Sequence, residues 1–166
     1  MKLAFCVLAL VTVAAPVAAA PLEFSGINAR TVAPDAATMS CLDLGPTYAP
    51  SCSLSRSSFG GIELLNSHLS VNPETKRVAF VGLTFRDYWF DTAVKAMTAK
   101  YGVPTVDKSI SAVNKQGGPY TQRRVEWHAF ENGSKVSLYS GSSTTSSLSV
   151  SFPENFGQAP TPKVDF

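Results

Sequence analysis

The segment 77–104 reads RVAFVGLTFRDYWFDTAVKAMTAKYGVP. Its first part, residues 77–85, is β-branched and aromatic and is apolar on both faces near its middle, which is typical of a central β-strand. Its second part repeats apolar residues at the spacing of one helical face. The stripe consists of Phe90, Val94, Met97 and Tyr101. We therefore expect a central strand that is followed directly by a helix packed on the sheet.

Both ends of this helix are marked in the sequence. Asp91 can cap the first turn, because its carboxylate can accept hydrogen bonds from free backbone N–H groups. Gly102 permits a left-handed exit from the last turn, and Pro104 prevents the helix from continuing. The helix is therefore predicted over residues 91–101.

Further elements are predicted on both sides of this segment. Before it, we expect an edge strand at 22–27, a small helix at 35–42, and strands at 52–57 and 61–71. After it, strands are predicted at 105–113, 123–130, 135–139 and 148–152, with a tight hairpin at Asn132-Gly133. The predicted fold class is α+β, an antiparallel sheet covered on one face by the main helix, with the smaller N-terminal helix before Cys41. The order of elements also permits two degenerate helix-plus-meander units, although no residue identity between the halves decides this.

Residues 1–19 have the form of a cleaved export signal. Lys2 gives a positive start, an apolar stretch follows, and the small residues around Val17-Ala18-Ala19 offer a cleavage site after Ala19. The apolar stretch is shorter than the roughly 20 residues that a membrane-spanning helix needs. We expect a periplasmic or secreted protein that is not an integral membrane protein. It would have one domain at 20–152 and a flexible, proline-containing tail at 153–166.

Removal of the signal removes Cys6 and leaves Cys41 and Cys52. In an exported chain an even number of cysteines predicts a disulfide, which contributes roughly 2–4 kcal/mol. A metal or redox site is the alternative, but neither a C-x-x-C motif nor a nearby histidine supports it. We expect the structural disulfide Cys41–Cys52.

The charge balance and the absence of known motifs limit the classes of function that the chain can have. The chain has 14 Lys and Arg against 12 Asp and Glu, and it has no dense basic stripe, which argues against nucleic-acid binding. No P-loop, nucleophile elbow, H-E-x-x-H motif or dinucleotide fingerprint occurs. We therefore predict no cofactor, no metal and no enzymatic activity.

A competing hypothesis rests on the two histidines, His68 and His128, which are both predicted on strands. Either one could be the general base of a small envelope-acting hydrolase, because only the fold brings the members of a catalytic triad together. The simpler interpretation is that both are solvent-facing strand residues.

The connection between the central strand and the helix, Arg86-Asp87-Tyr88-Trp89-Phe90, is the main candidate for a binding surface. Tyr88 and Trp89 lie outside the buried stripe, and aromatic residues beside an arginine are enriched at interaction hot spots. The alternative is that both rings fold back over the end of the core. We predict that Arg86, Tyr88 and Trp89 bind another protein or an envelope component. A purely structural envelope protein is a third hypothesis, which requires buried aromatic rings.

Three pieces of the sequence resemble a class of small exported proteobacterial proteins. These pieces are Val81-Gly82-Leu83-Thr84-Phe85, Phe90-Asp91 and Ala99-Lys100-Tyr101-Gly102-Val103-Pro104-Thr105. Such proteins combine an L-T-F strand with a helix ending in K-Y-G-x-P-T and a Trp-bearing strand, here carried by Trp127. The resemblance covers about residues 59–152 and implies no functional residues. The layout is also similar in outline to the β-lactamase inhibitor protein and to BamE-like modules, which is a likeness of fold alone.

Overall fold

The computed structural model describes residues 20–33, 40–42, 50–113, 117–128, 130–141 and 144–156. These ranges are mostly antiparallel β-sheet with one α-helix. The predicted export signal, residues 35–39 of the predicted small helix and residues 157–166 of the predicted tail lie outside the described residues.

The strands are β1 (Glu23–Phe24), β2 (Ile27–Asn28), β3 (Cys41–Leu42), β4 (Ser51–Ser53), β5 (Ser58–Phe59), β6 (Ile62–Val71), β7 (Val78–Arg86), β8 (Val106–Val113), β9 (Pro119–Trp127), β10 (Lys135–Tyr139) and β11 (Thr145–Ser151). The α-helix of the described ranges is α1 (Phe90–Tyr101), and 3-10 turns lie there at Asp87–Trp89, Glu131–Gly133 and Pro153–Asn155.

The main sheet has the order β3-β4-β6-β7-β11-β10-β9-β8, and β5 pairs with β6 beside this path. Every pairing within it is antiparallel, so β7 and β8 run in the same direction. Helix α1 joins these two strands across the three that separate them. The segment 77–104 therefore leads from the interior of the sheet to β8, the last strand of this order.

One face of the sheet carries the hydrophobic core. Residues opposite each other in an antiparallel pair lie on the same face, and Val81 and Leu83 of β7 lie opposite Val150 and Leu148 of β11. Helix α1 contributes the buried Phe90, Ala93 and Met97. The N-terminal segment adds Leu22 and Phe24 to the same core cluster.

The opposite face is polar across its middle. One row of paired residues runs through His68, Gly82, Ser149, Ser137 and Glu126. The His68 ring lies over Gly82, because a methyl group added to that glycine would come within 2.3 Å of His68 Cε1. This face therefore differs sharply in chemistry from the helix-covered face.

The disulfide prediction agrees with the structure. Cys41 and Cys52 are bonded and lie directly opposite each other on β3 and β4. The same pairing makes Cys41–Leu42 a strand, so the prediction that these two residues end a helix is wrong. The disulfide and the pairing with β4 hold residues 41 and 42 in an extended strand, although the sequence predicts a helix there.

Several boundaries also differ from prediction. Asp91 does not cap α1, because the chain enters the helix already wound in the turn Asp87–Trp89, and Trp89 is the residue that precedes the helix. Asn132-Gly133 is not a two-residue hairpin but part of a 3-10 turn, in which Asn132 has a φ of 56°. The edge strand predicted at 22–27 is instead a small hairpin, in which β1 pairs with β2 from Glu23 to Asn28.

The predicted tail begins as ordered structure. Pro153–Asn155 is a 3-10 turn, and Asn155 is buried. Its amide donates hydrogen bonds to the carbonyl oxygens of Ala29 and Val78, at 2.6 and 2.8 Å. Long-range bonds of this kind have no signal in a proline-containing terminal sequence.

Candidate functional site

The connection 86–90 is fixed at both of its ends. The Asp87 backbone N–H donates to the Thr144 carbonyl oxygen at 2.9 Å, and the Asp87 carboxylate accepts a hydrogen bond from Ser146 Oγ. Directly after it, Phe90 is buried in the core. The turn Asp87–Trp89 is therefore held between β11 and the core.

The two predicted binding aromatics behave differently on this turn. Tyr88 is 71% exposed, whereas Trp89 is half-buried and packs against the core. Their ring centroids lie 5.5 Å apart. The structure thus places Arg86, Tyr88 and Trp89 together, with Arg86 and Tyr88 exposed and Trp89 partly folded back. We call these three residues the aromatic turn.

The indole N–H of Trp89 lies in an unusual environment for a polar group. Its indole Nε1 is shielded from solvent and has no hydrogen-bond partner among the described residues. Burying an unpaired N–H donor is unfavourable, typically by about 1–3 kcal/mol. Such a donor gains from any movement or contact that supplies an acceptor.

Arg123 ties the start of α1 to the sheet. Its guanidinium donates to Asp91 at 3.0 Å and to Asp107 at 2.9 and 2.8 Å, and it lies 5.7 Å from the centre of the Phe90 ring. The hydrogen bond from Arg123 lowers the pKa of Asp107. Asp91, predicted as a helix cap, therefore acts as one end of an ion-pair network.

A second polar cluster, which the sequence did not predict as a unit, surrounds Glu126. The Glu126 side chain is 0% exposed, and its carboxylate accepts hydrogen bonds from Arg124 at 2.7 Å, Tyr139 at 2.9 Å and Ser137 at 3.1 Å. His128 Nε2 lies 2.9 Å from the same carboxylate. Burial raises the pKa of Glu126, but the hydrogen bonds outweigh it and lower the pKa to about 2.

Part of this cluster had a signal in the sequence. Side chains alternate between the two faces of a strand, so a strand at 123–130 places Arg124, Glu126 and His128 on one face. The other two members, Ser137 and Tyr139, come from β10, and only the strand register brings them to the carboxylate. A single sequence does not specify that register.

The geometry around the histidines differs from that of a catalytic triad. In a triad the serine hydroxyl donates to the imidazole, and the carboxylate binds the far side of the ring. Here Ser137 donates to Glu126 instead, and Ser137 is buried. His68 lies beside Phe80, with ring centroids 5.7 Å apart, and its imidazole makes no hydrogen bond to another described residue. Strands β7, β11 and β10 separate the two histidines, so they do not form one site.

The structure also contains a surface cleft of about 440 Å³ beside the N-terminal segment. Its charged lining residues are Glu23, Arg30, Arg77, Glu131 and Glu154. None of Arg86, Tyr88, Trp89, His68 and His128 lines it. Its mixture of both charges favours no single class of ligand.

The described residues contain neither a cluster of metal ligands nor a membrane-spanning helix. No group of three or more His, Cys, Asp or Glu side chains there is arranged to hold a metal ion. No helix within those ranges combines the length and apolar character needed to cross a bilayer.

A comparison of the chain with protein-family models, with curated proteins and with solved structures found no match. The resemblance to small exported proteobacterial proteins therefore stays a prediction.

Proposed function

We propose that this chain is an exported, non-enzymatic binding protein that recognises another protein or an envelope component through the aromatic turn. The observation that carries the proposal is Tyr88, a large aromatic residue that is 71% exposed on a turn fixed by Asp87. A rigid, exposed tyrosine offers contact area at a small cost in conformational entropy, which is why tyrosine is enriched at hot spots.

The neighbours of Tyr88 fit the same role. Arg86 is exposed at the end of β7 and can donate to a carboxylate or stack on an aromatic ring of a partner. The half-buried ring of Trp89 adds aromatic surface beside it. Together the three residues supply aromatic area and a positive charge.

Export is supported by features of the N-terminal half. The proposed cleavage after Ala19 would leave Ala20 as the first residue, and the Ala20 carbonyl oxygen accepts a hydrogen bond from the Glu131 N–H at 3.3 Å. The disulfide Cys41–Cys52 is typical of an oxidising compartment.

The alternative of a purely structural envelope protein requires Tyr88 to be buried, and its exposure argues against that alternative. The hydrolase alternative requires a histidine with a hydroxyl partner. Among the described residues, the imidazole ring of His128 has only a carboxylate as hydrogen-bond partner, so no specific observation favours the hydrolase.

The test is affinity capture from a periplasmic extract of the cells that make the protein. Purified wild-type protein, Tyr88→Ala and the control Val103→Ala would be immobilised at equal density, and the bound species identified by mass spectrometry. Val103 is 86% exposed at the end of α1, away from the aromatic turn. We expect a species that wild type and Val103→Ala retain and that Tyr88→Ala loses.

Circular dichroism and thermal unfolding of all three proteins would show that the fold is unchanged. If every captured species bound Tyr88→Ala as well as wild type, the aromatic turn would not be the recognition site. If nothing bound any of the three, the proposal that the chain recognises another protein or an envelope component would be wrong.

A further inference from the structure

Among the described residues, strand β8 is hydrogen-bonded on one side only. It pairs with β9 from Val106 to Val113 without a register shift, and the order of described strands ends at β8. A long, regular edge strand of this kind presents a row of backbone N–H and C=O groups that can pair with another chain.

The register shows which residues carry these outward groups. The backbone N–H of Arg123 donates to Ser140 Oγ, and its carbonyl oxygen accepts from the Ser140 N–H, so both groups point towards β10. The backbone N–H and C=O groups of successive residues point to opposite sides of a strand. Those of Arg124 therefore point away from β10, towards its partner Lys108 on β8. The outward groups of β8 therefore belong to Asp107, Ser109, Ser111 and Val113.

We propose that β8 is a second binding site, at which an extended segment of another polypeptide adds a strand to the sheet. Only a backbone in the extended conformation matches the spacing of alternating donors and acceptors along this edge. The site is distinct from the aromatic turn, which follows β7, and neither proposal depends on the other.

The charges on the edge specify the partner further. Asp107 is neutralised by its two hydrogen bonds to Arg123. Lys108 is exposed and has no ion pair with another described residue. An opposite charge placed across from it stabilises a strand pair by about 0.2–1 kcal/mol. The partner segment therefore carries an acidic residue opposite Lys108.

A second copy of this chain fits the edge less well. Two identical edges that pair antiparallel do so about a two-fold axis through one residue pair. An axis at Ser109 places Lys108 opposite Ile110, and an axis at Ile110 places it opposite Ala112. An axis at Lys108 itself brings two like charges together. None of these registers gives Lys108 a carboxylate directly opposite.

The test uses a defined peptide, acetyl-Thr-Val-Thr-Glu-Thr-Val-Thr-amide, and its counterpart with Lys in place of Glu. Binding to the purified protein would be followed by NMR of the backbone amides. We expect the amide protons of Asp107, Ser109 and Ser111 to shift downfield, and those of Lys108 and Ile110 to move less because they already bond to β9. The Lys peptide should bind at least about threefold more weakly.

Variants of Ser109 isolate the outward hydrogen bonds. Ser109→Pro removes an outward donor and leaves the ladder to β9 intact, since proline is tolerated on the free side of an edge strand. It should weaken binding of the Glu peptide at least about tenfold, whereas the affinity of Ser109→Ala for that peptide should stay within about twofold of wild type. Thermal unfolding of both variants would report whether the strand is preserved.

Three results would overturn the proposal. Equal affinity of Ser109→Pro and wild type would show that the edge is not used. Amide shifts confined to the aromatic turn or scattered over the surface would do the same. A wild-type protein that dimerises in sedimentation experiments, and that Ser109→Pro keeps monomeric, would make the second copy the true occupant.

Discussion

Glu126 offers the sharpest test of how the polar face of the sheet is held together. Its pKa is lowered from 4.5 to about 2, although the carboxylate is buried. Each pKa unit corresponds to about 1.4 kcal/mol, so the ionised form of Glu126 stabilises the fold by at most about 3 kcal/mol. Arg124 is partly exposed, and solvent screens its attraction to Glu126. The measured stabilisation should therefore lie below this bound.

The sign of the pH dependence follows from the direction of the shift. A carboxyl group with a lowered pKa in the folded state contributes its full stability above the unfolded value of 4.5. That contribution is lost as the pH falls towards about 2, and about 2 kcal/mol of it should be gone at pH 3. Neutralising the group by mutation should remove this part of the pH dependence.

The perturbation is Glu126→Gln, which removes the charge but keeps an acceptor for Ser137 and Tyr139. Urea unfolding between pH 7 and pH 3 would give the free energy of unfolding for wild type, Glu126→Gln and the control Glu63→Gln. Glu63 is an exposed glutamate on β6 and makes no hydrogen bond to another described side chain.

We expect Glu126→Gln to be less stable than wild type at pH 7, by about 2–3 kcal/mol, and to converge with it towards pH 3. The control should follow wild type at every pH. If Glu126→Gln and wild type differed by the same amount across the whole range, the carboxylate would not be ionised in the way its hydrogen bonds imply.

Three further predictions concern stability. Replacing Cys41 and Cys52 by serine should lower the free energy of unfolding by about 3 kcal/mol, the loop-closure value for their separation of 11 residues, and urea unfolding checks this. Gly82→Ala should displace the His68 ring and lower the melting temperature. Combining it with His68→Ala should recover that loss. If the effects of the two substitutions on the melting temperature were simply additive, the ring would not lie over the glycine. Asn155→Ala should lower the free energy of unfolding by about 1–3 kcal/mol, because one buried and one partly buried carbonyl oxygen lose their donor. A neutral effect would mean that residue 155 behaves as part of a loose tail.

The sequence predicted the central elements well because their signals are local. The apolar run of β7, the stripe of α1 and the glycine and proline after it all act within a few residues of one another. The structure accordingly has α1 over Phe90–Tyr101 and β7 over Val78–Arg86. The disulfide was predictable because only two cysteines remain after removal of the proposed signal.

The features that were missed depend on contacts between distant residues. Glu126 meets Ser137 and Tyr139 only through the register of β9 and β10, and Asn155 reaches Ala29 from the other end of the chain. Asp91 fits the local rule for a helix cap, but the turn before it winds the chain early. The binding residues were proposed from composition, and the structure adds that Tyr88 is exposed while Trp89 is half-buried.

The central claim is that Tyr88 recognises a partner, and the most direct measurement is the affinity of the captured partner for wild type and for Tyr88→Ala. A hot-spot aromatic contributes about 2 kcal/mol or more, so Tyr88→Ala should bind at least about 30-fold more weakly. Val103→Ala, altered at another exposed apolar residue, should bind as wild type does. Equal dissociation constants for wild type and Tyr88→Ala, with both proteins folded, would contradict the claim.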